Sequence, residues 1–337
     1  MNHQHQRHQQ HGLLLIQLGT PESPRVQDVR RYLRVFLSDK RVLDLPSWVR
    51  YVLLNFIILP FRSKRSAEAY QQIWTEQGSP LRTLSASLKN KLQKSLAATH
   101  TVALGMRYGE PSLEQAMKNL AHCDRITVLP LYPQYASSST GSSLEEVLAY
   151  FSTQTVIPSL RIIRDFYAHP AFIQAQAKQI QPYLNNRDYC LFSYHGLPVR
   201  HIEKSGCKTV CLNACPKPED SNTGCYRAQC FETTRQLVKT LGLNQDQYST
   251  AFQSRLGKTP WIQPYTDEVL EQLASQGIKR LVVACPAFVT DCLETLEEIG
   301  MQAQEQWLAL GGEALTLVPC LNDEDHWVKA LSEVICG

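Results

Sequence analysis

The sequence predicts an α/β protein of two similar domains, each built on a parallel, doubly wound sheet. Three observations carry this. Apolar runs of the length and density of buried parallel strands recur along the chain, in order LLLIQL, TVALGM, ITVLPL, LRIIRDF, YCLFSY and LVVACPAF. Helix-period stretches such as SLEQAMKNLAHC and TDEVLEQLASQG separate them. The order of signals in the first half then returns in the second.

The echo has three parts. The first run ends in Gly19-Thr20-Pro21, and YCLFSYH ends in Gly196-Leu197-Pro198, 177 residues later. Arg107-x-Gly109-x-Pro111 is answered by Arg255-x-Gly257 and Pro260, at a separation of 148. The segment from Arg125, RITVLPLYPQYASSSTGSSLEEV, is answered from Arg280 by RLVVACPAFVTDCLETLEEI, at 155. Three matches in one order point to an internal repeat. Ligands of open parallel sheets gather beyond the carboxyl ends of the strands, so the site is expected in a cleft between the halves.

A chain of 337 residues with 43% hydrophobic residues has room for two cores. Its net charge of +3 excludes an electrostatic nucleic-acid binder. Residues 1–11, MNHQHQRHQQH, carry no secretory pattern and read as a disordered tail. A cytoplasmic protein with reduced cysteines is expected. The longest apolar run, Tyr51 to Phe61, falls far short of the roughly 20 residues of a spanning helix. Bounded by Arg50, Arg62, Lys64 and Arg65, it reads equally as a buried helix or as an apolar lip at a membrane surface.

His195 stands at the end of YCLFSY, before a glycine that permits close approach of a ligand. A histidine there can act as a base near neutral pH. After LVVACPAFVT, Asp291, Glu294 and Glu298 recur at spacings of three and four, on one helix face. Such stripes are commonly solvated surface. This one begins at a strand end facing the histidine, a combination suited to proton transfer and to a hard divalent cation. Tyr132 beside the hydroxyl-rich ASSSTGSS, together with Trp261, suits a large flat ligand with polar edges. No nucleotide-binding glycine pattern follows any strand.

Five of the eleven cysteines fall between Cys207 and Cys230. Reducing surroundings disfavour disulfides. Cys207, Cys211, Cys215 and Cys225 form a full thiolate set for a [2Fe–2S] cluster or for tetrahedral zinc, and their spacing does not separate the two.

SYHGLP, FQSRLGKTPW, YPQYASSSTGSS and FVTDCLETLEEI resemble the motifs of ferrochelatase, the family that inserts ferrous iron into a porphyrin in the last step of haem synthesis. The resemblance runs from about Gly12 to Gly337. It implies a lyase of chelatase-like fold, with Rossmann-like domains at 12–150 and 151–315 and a porphyrin cleft between them. It also implies a cysteine-rich insertion at 202–229 and a C-terminal segment, 316–337, packing back on the first domain.

By the same resemblance His195 and Glu294 are the catalytic pair that handles substrate Fe2+, with Asp291 and Glu298 completing an acidic ladder. Cys292 stands where some members have histidine. Phe288, Trp261, Leu256, Leu197 and Arg107 match positions lining the cleft, and Arg62 and Ser79 match positions near the propionates. Leu18 replaces the tyrosine usual in coproporphyrin-using members, which implies protoporphyrin IX. The resemblance favours [2Fe–2S] over zinc on the four cysteines, with Cys230 as the alternative ligand. Peripheral membrane contact and a monomer or homodimer complete the expectation. The rivals are a coproporphyrin ferrochelatase, a cobaltochelatase and a non-catalytic haem or iron sensor.

Overall fold

The computed structural model describes residues 11–337 apart from 186–187, 208, 212–213, 220–221 and 258, so all of the expected tail but His11 lies outside the described residues. Two four-stranded sheets form. The first holds β1 (His11–Gly19), β2 (His100–Tyr108), β3 (Arg125–Pro130) and β4 (Ser159–Ile162) in the order β2-β1-β3-β4. The second holds β5 (Tyr189–His195), β6 (Tyr248–Gln253), β7 (Arg280–Ala284) and β8 (Ala314–Leu317) in the order β6-β5-β7-β8. Every pairing is parallel. Helices cover both faces of such sheets, which is why the central β1 has Leu13 to Ile16 wholly buried.

The two sheets share one strand order, as an internal repeat requires. Register makes the equivalence exact to the residue. Gln17 of β1 pairs with Met106 as Tyr194 of β5 pairs with Phe252, so Leu18 and His195 occupy the same place in sister domains. The glycine that follows each is fixed by crowding. Gly19 has φ +110°, and a Cβ there would lie 1.7 Å from the Tyr108 oxygen; one on Gly196 would lie 2.7 Å from that of Gln253.

Two expectations shift. The Met106 amide donates to the Pro111 carbonyl, and the Phe252 amide to that of Pro264, so the counterpart of Arg107 is Gln253 and not Arg255. The loop after β6 is the longer one, and the Arg-x-Gly likeness fell on its extra residues. β4 pairs with β3, which carries the first domain past the expected boundary at residue 150.

One buried apolar cluster joins the sheets, with Leu13 and Leu15 of β1, Phe192 and Tyr194 of β5, and Trp327 and Leu331 of the C-terminal helix Asp325–Cys336. That helix packs on Pro170–Ile180 and on Pro80–Leu96 of the first domain. Lys91 secures it to Asp325 at 2.9 Å.

The run Tyr51–Phe61 lies within helices Ser47–Val52 and Leu59–Ile73 and the π-helical turn Leu53–Ile58 between them. Leu54 and Leu59 are buried against Val29 and Leu33, whereas Trp48, Tyr51, Phe56, Ile57 and Phe61 are between 54% and 79% exposed. Among the described residues no helix is long and apolar enough to cross a membrane.

Candidate active site

His195 ends β5 half-buried, within electrostatic reach of Glu298. Its Nδ1 lies 2.6 Å from the Gly196 carbonyl oxygen. A carbonyl only accepts, so Nδ1 carries the hydrogen, and whenever the ring is neutral Nε2 is the nitrogen left to accept a proton. The Phe288 ring sits 6.2 Å from the imidazole, centroid to centroid. The main-chain oxygen of His195 accepts from the Tyr226 hydroxyl at 2.8 Å.

The acidic row begins beyond β7, and the chain winds there as a ten-residue π-helix, Glu294–Ala303. Wide i→i+5 turns are rare and concentrate at functional sites. Glu298 is gripped by Ser254, whose amide and hydroxyl approach its two oxygens at 2.6 and 2.5 Å. Ser254 holds φ +66°, a left-handed conformation that costs a serine energy. Burial raises the proton affinity of Glu298 above that of an ordinary carboxylate, and the neighbouring Glu294 adds to this against the opposing Ser254 bonds and His195 charge. A cavity of about 260 Å³ opens beside Glu298, lined in part by Gln253, Asp267, Gln302 and Gln306.

Asp291, read from its spacing as the first rung of the row, is placed differently. It is buried, accepting from Thr295 at 3.0 Å, Asn322 at 2.7 Å and the Cys320 amide at 3.3 Å. With both oxygens occupied it anchors the π-helix to the segment after β8, and the row presented to the cleft starts at Glu294.

The first domain supplies the facing wall. Arg62 meets Glu294 and Glu298, whose charges oppose the lowering of its pKa by burial and by Arg65. Tyr32 and Tyr70 stand beside Glu294 as well. Their hydroxyls are pushed far above the usual tyrosine range, first by burial and then by neighbours that include Glu294. Neither tyrosine was expected from the sequence.

The remaining expected residues divide into two groups. Leu197, Trp261 and Leu256 adjoin His195: the Leu197 carbonyl accepts from Ile262, Trp261 bridges to Pro198, and the Trp261 indole donates to the Leu256 carbonyl at 2.9 Å. Arg107, Ser79 and Tyr132 are held within the first domain. Arg107 pairs with Asp39 at 3.0 Å and Glu146 at 2.6 Å, Ser79 accepts from Thr20 at 2.8 Å, and the enclosed Tyr132 hydroxyl is raised by burial. Leu18 is half-buried at the end of β1.

Among the cysteines, Cys215 and Cys225 are buried, and Cys207 and Cys211 are half-buried. The thiols of Cys207 and Cys215 both interact with Cys225, with Cys211 close by. Cys230 is wholly buried within the helix Tyr226–Leu241. No group of three or more metal-binding side chains is already disposed around a metal position among the described residues.

The sequence profile of the ferrochelatase family matches residues 10–337. The chain belongs to the ferrochelatase family. It is 56% identical to the ferrochelatase of Legionella pneumophila (strain Paris) over 96% of this chain and 98% of that one. To the ferrochelatase of Coxiella burnetii (strain CbuK_Q154) it is 52% identical, over 96% and 92%. Among solved structures it resembles SirB from Bacillus subtilis with Fe3+, at TM-score 0.54 and 12% identity, over 97% of this chain and 96% of that one. The sirohydrochlorin chelatase SirB of B. subtilis subspecies spizizenii, in complex with cobalt, gives TM-score 0.53 at 10% identity over 97% and 94%. At such identities the likeness is one of fold, and it lies with chelatases.

Proposed function

We propose that the cleft takes protoporphyrin IX against Leu197, Trp261 and Phe288, with His195 and Glu294 acting on its centre. Family membership gives the reaction class: a ferrochelatase is a metal chelatase, a lyase that inserts Fe2+ into a porphyrin in haem synthesis. Insertion must remove two pyrrole N–H protons and strip water from the iron. The observation that carries the residue assignment is the 2.6 Å tie of His195 Nδ1 to the Gly196 carbonyl, which leaves Nε2 to accept a pyrrole proton. Glu298, with raised proton affinity, takes the proton on, and the cavity beside it leads it away. Glu294, balanced by Arg62, offers an oxygen to the incoming cation.

Leu18 supports protoporphyrin over coproporphyrin, because an apolar strand end offers no hydroxyl to an additional carboxylate. Only the family resemblance supports Arg62 and Ser79 at the propionate rim, since Arg62 is drawn to Glu294 and Glu298 and Ser79 is buried against Thr20. In an anaerobic assay with Fe2+ and protoporphyrin, the wild type forms haem; a His195→Ala protein of undiminished activity sinks the assignment.

The cysteine loop carries the donors of a [2Fe–2S] cluster, since Cys207 and Cys215 both interact with Cys225, Cys211 is close by and Arg227 donates to the Cys215 sulfur at 2.9 Å; the four thiols would have to draw closer to share a metal. Cys207, Cys211, Cys215 and Cys225 would hold it; Cys230 stays the alternative, although it faces the core. When bound, it supplies a one-electron redox centre. A visible spectrum of anaerobically purified protein tests this, and a colourless zinc protein without labile sulfide overturns it. The exposed Trp48, Tyr51, Phe56 and Phe61 support peripheral membrane contact, through which an apolar porphyrin reaches the cleft of a cytoplasmic enzyme.

A further inference from the structure

The helix Tyr226–Leu241 starts immediately after Cys225, and its first two residues reach different parts of the molecule. Tyr226 donates to the main chain of His195. Arg227 is wholly buried, an uncommon place for a guanidinium. Its Nη1 donates to Cys215 Sγ at 2.9 Å, while Nε and Nη2 donate to the Gln263 carbonyl at 3.1 and 2.8 Å. Phe231 lies under the guanidinium at 4.6 Å from its ring centroid and Phe252 at 5.7 Å.

Gln263 lies in the segment that ties the turn after His195 to the end of β6. The next residue, Pro264, accepts from the Phe252 amide at the end of β6; the preceding Ile262 donates to Leu197, two residues beyond His195; and Trp261 bridges to Pro198. One side chain therefore stands between the cysteine loop and the segment that carries Trp261.

We propose that Arg227 is a positioning residue that transmits the metal occupancy of the cysteine loop to the Trp261–Gln263 wall of the porphyrin cleft. The inference rests on the reading of that loop as a thiolate metal centre. A guanidinium sealed from water needs acceptors and negative charge on its fork. A metal-bound loop places anionic sulfur at the Cys215 end, and a charge-assisted bond shortens and stiffens there. The fork is planar and rigid, and its other two nitrogens are fixed on the Gln263 carbonyl. Tightening or loosening one end moves the other. Lysine retains the charge and loses this geometry.

Amide hydrogen exchange on the full chain tests the link. The wild type is compared as purified, metal-stripped under reducing anaerobic conditions, and reloaded with Zn2+ as the probe metal. Stripping should speed exchange both in Cys207–Cys225 and in Trp261–Tyr265, and Zn2+ should reverse both. In Arg227→Gln the loop should bind Zn2+ at least tenfold more weakly, with Trp261–Tyr265 no longer responding to the metal. Arg227→Lys should recover Zn2+ affinity while leaving Trp261–Tyr265 unresponsive. A wild type whose Trp261–Tyr265 segment ignores the metal overturns the role of Arg227 and leaves the metal centre standing, and this arm decides even if the variants do not fold. A wild type that binds neither Zn2+ nor Co2+ through sulfur, the latter read from its thiolate charge-transfer bands, overturns the metal centre and the inference with it.

Discussion

Asp44, on the segment that leads into the exposed apolar helices, is joined to Arg200, on the helix that follows the His195 turn, by an ion pair of 2.5 Å. Lys204 reaches the other Asp44 oxygen at 2.6 Å, and the buried His201 lies 3.4 Å away. The two domains are thus clasped beside the cleft by one carboxylate. Burial alone would raise its pKa; hydrogen bonds from Lys204 and Arg200 instead hold it down to about 2. A carboxyl depressed in the folded state contributes stability that is whole above its unfolded value and is lost as pH falls from about 4 to about 2.

Asp44→Asn should therefore lower stability at pH 7 by about 1–2 kcal/mol. The difference from the wild type should close as pH approaches 2. Urea midpoints at several pH values measure it, and a difference that persists undiminished at the acid end contradicts the clasp.

His195→Ala should reduce kcat by about 100-fold or more, the range for loss of a positioned base, with a smaller effect on porphyrin KM. Porphyrin fluorescence decay under anaerobic Fe2+ gives both constants. An equal loss in KM alone would assign His195 to binding instead.

Glu298→Gln should make the protein more stable and less active. A carboxyl whose folded pKa is raised favours the protonated form, so its ionisation near neutral pH costs stability that an uncharged amide does not incur. The acid limb of the kcat profile should lie above the ordinary carboxylate range in the wild type and disappear in the variant. Melting temperature and pH–rate profile together check the pair of effects.

Phe56→Glu with Phe61→Glu should abolish sedimentation with anionic vesicles while leaving thermal stability unchanged, since the two rings are 67% and 79% exposed. Each ring withdrawn from an apolar phase is worth about 1.5–3 kcal/mol, or tenfold or more in partition. Retained vesicle binding assigns the patch another role.

Much of this architecture was legible because central strands are apolar on both faces, and β1, β3, β5 and β7 announce themselves accordingly. β6 and β8 did not. Both are edge strands; YSTAFQ carries Ser249 and Thr250, and ALTL is only four residues long. The acidic row was read as an ordinary helix because a spacing of four, Glu294 to Glu298, suits an α-helix as well as the π-helix that forms. Asp291 precedes Glu294 by three, again a helical spacing, and bonds from Thr295, the Cys320 amide and Asn322 withdraw it from the row. Tyr32 and Tyr70 carried no local signal. They sit in amphipathic helices of the first domain and meet Glu294 of the second only when the chain has folded.

Leu18 and His195 hold one address in two copies of the same unit. The chain repeats one strand layout, and its two copies part ways at this address, where one keeps an aliphatic residue and the other an imidazole. Under the function proposed above, a proton at this address can be taken up by one of the two units alone.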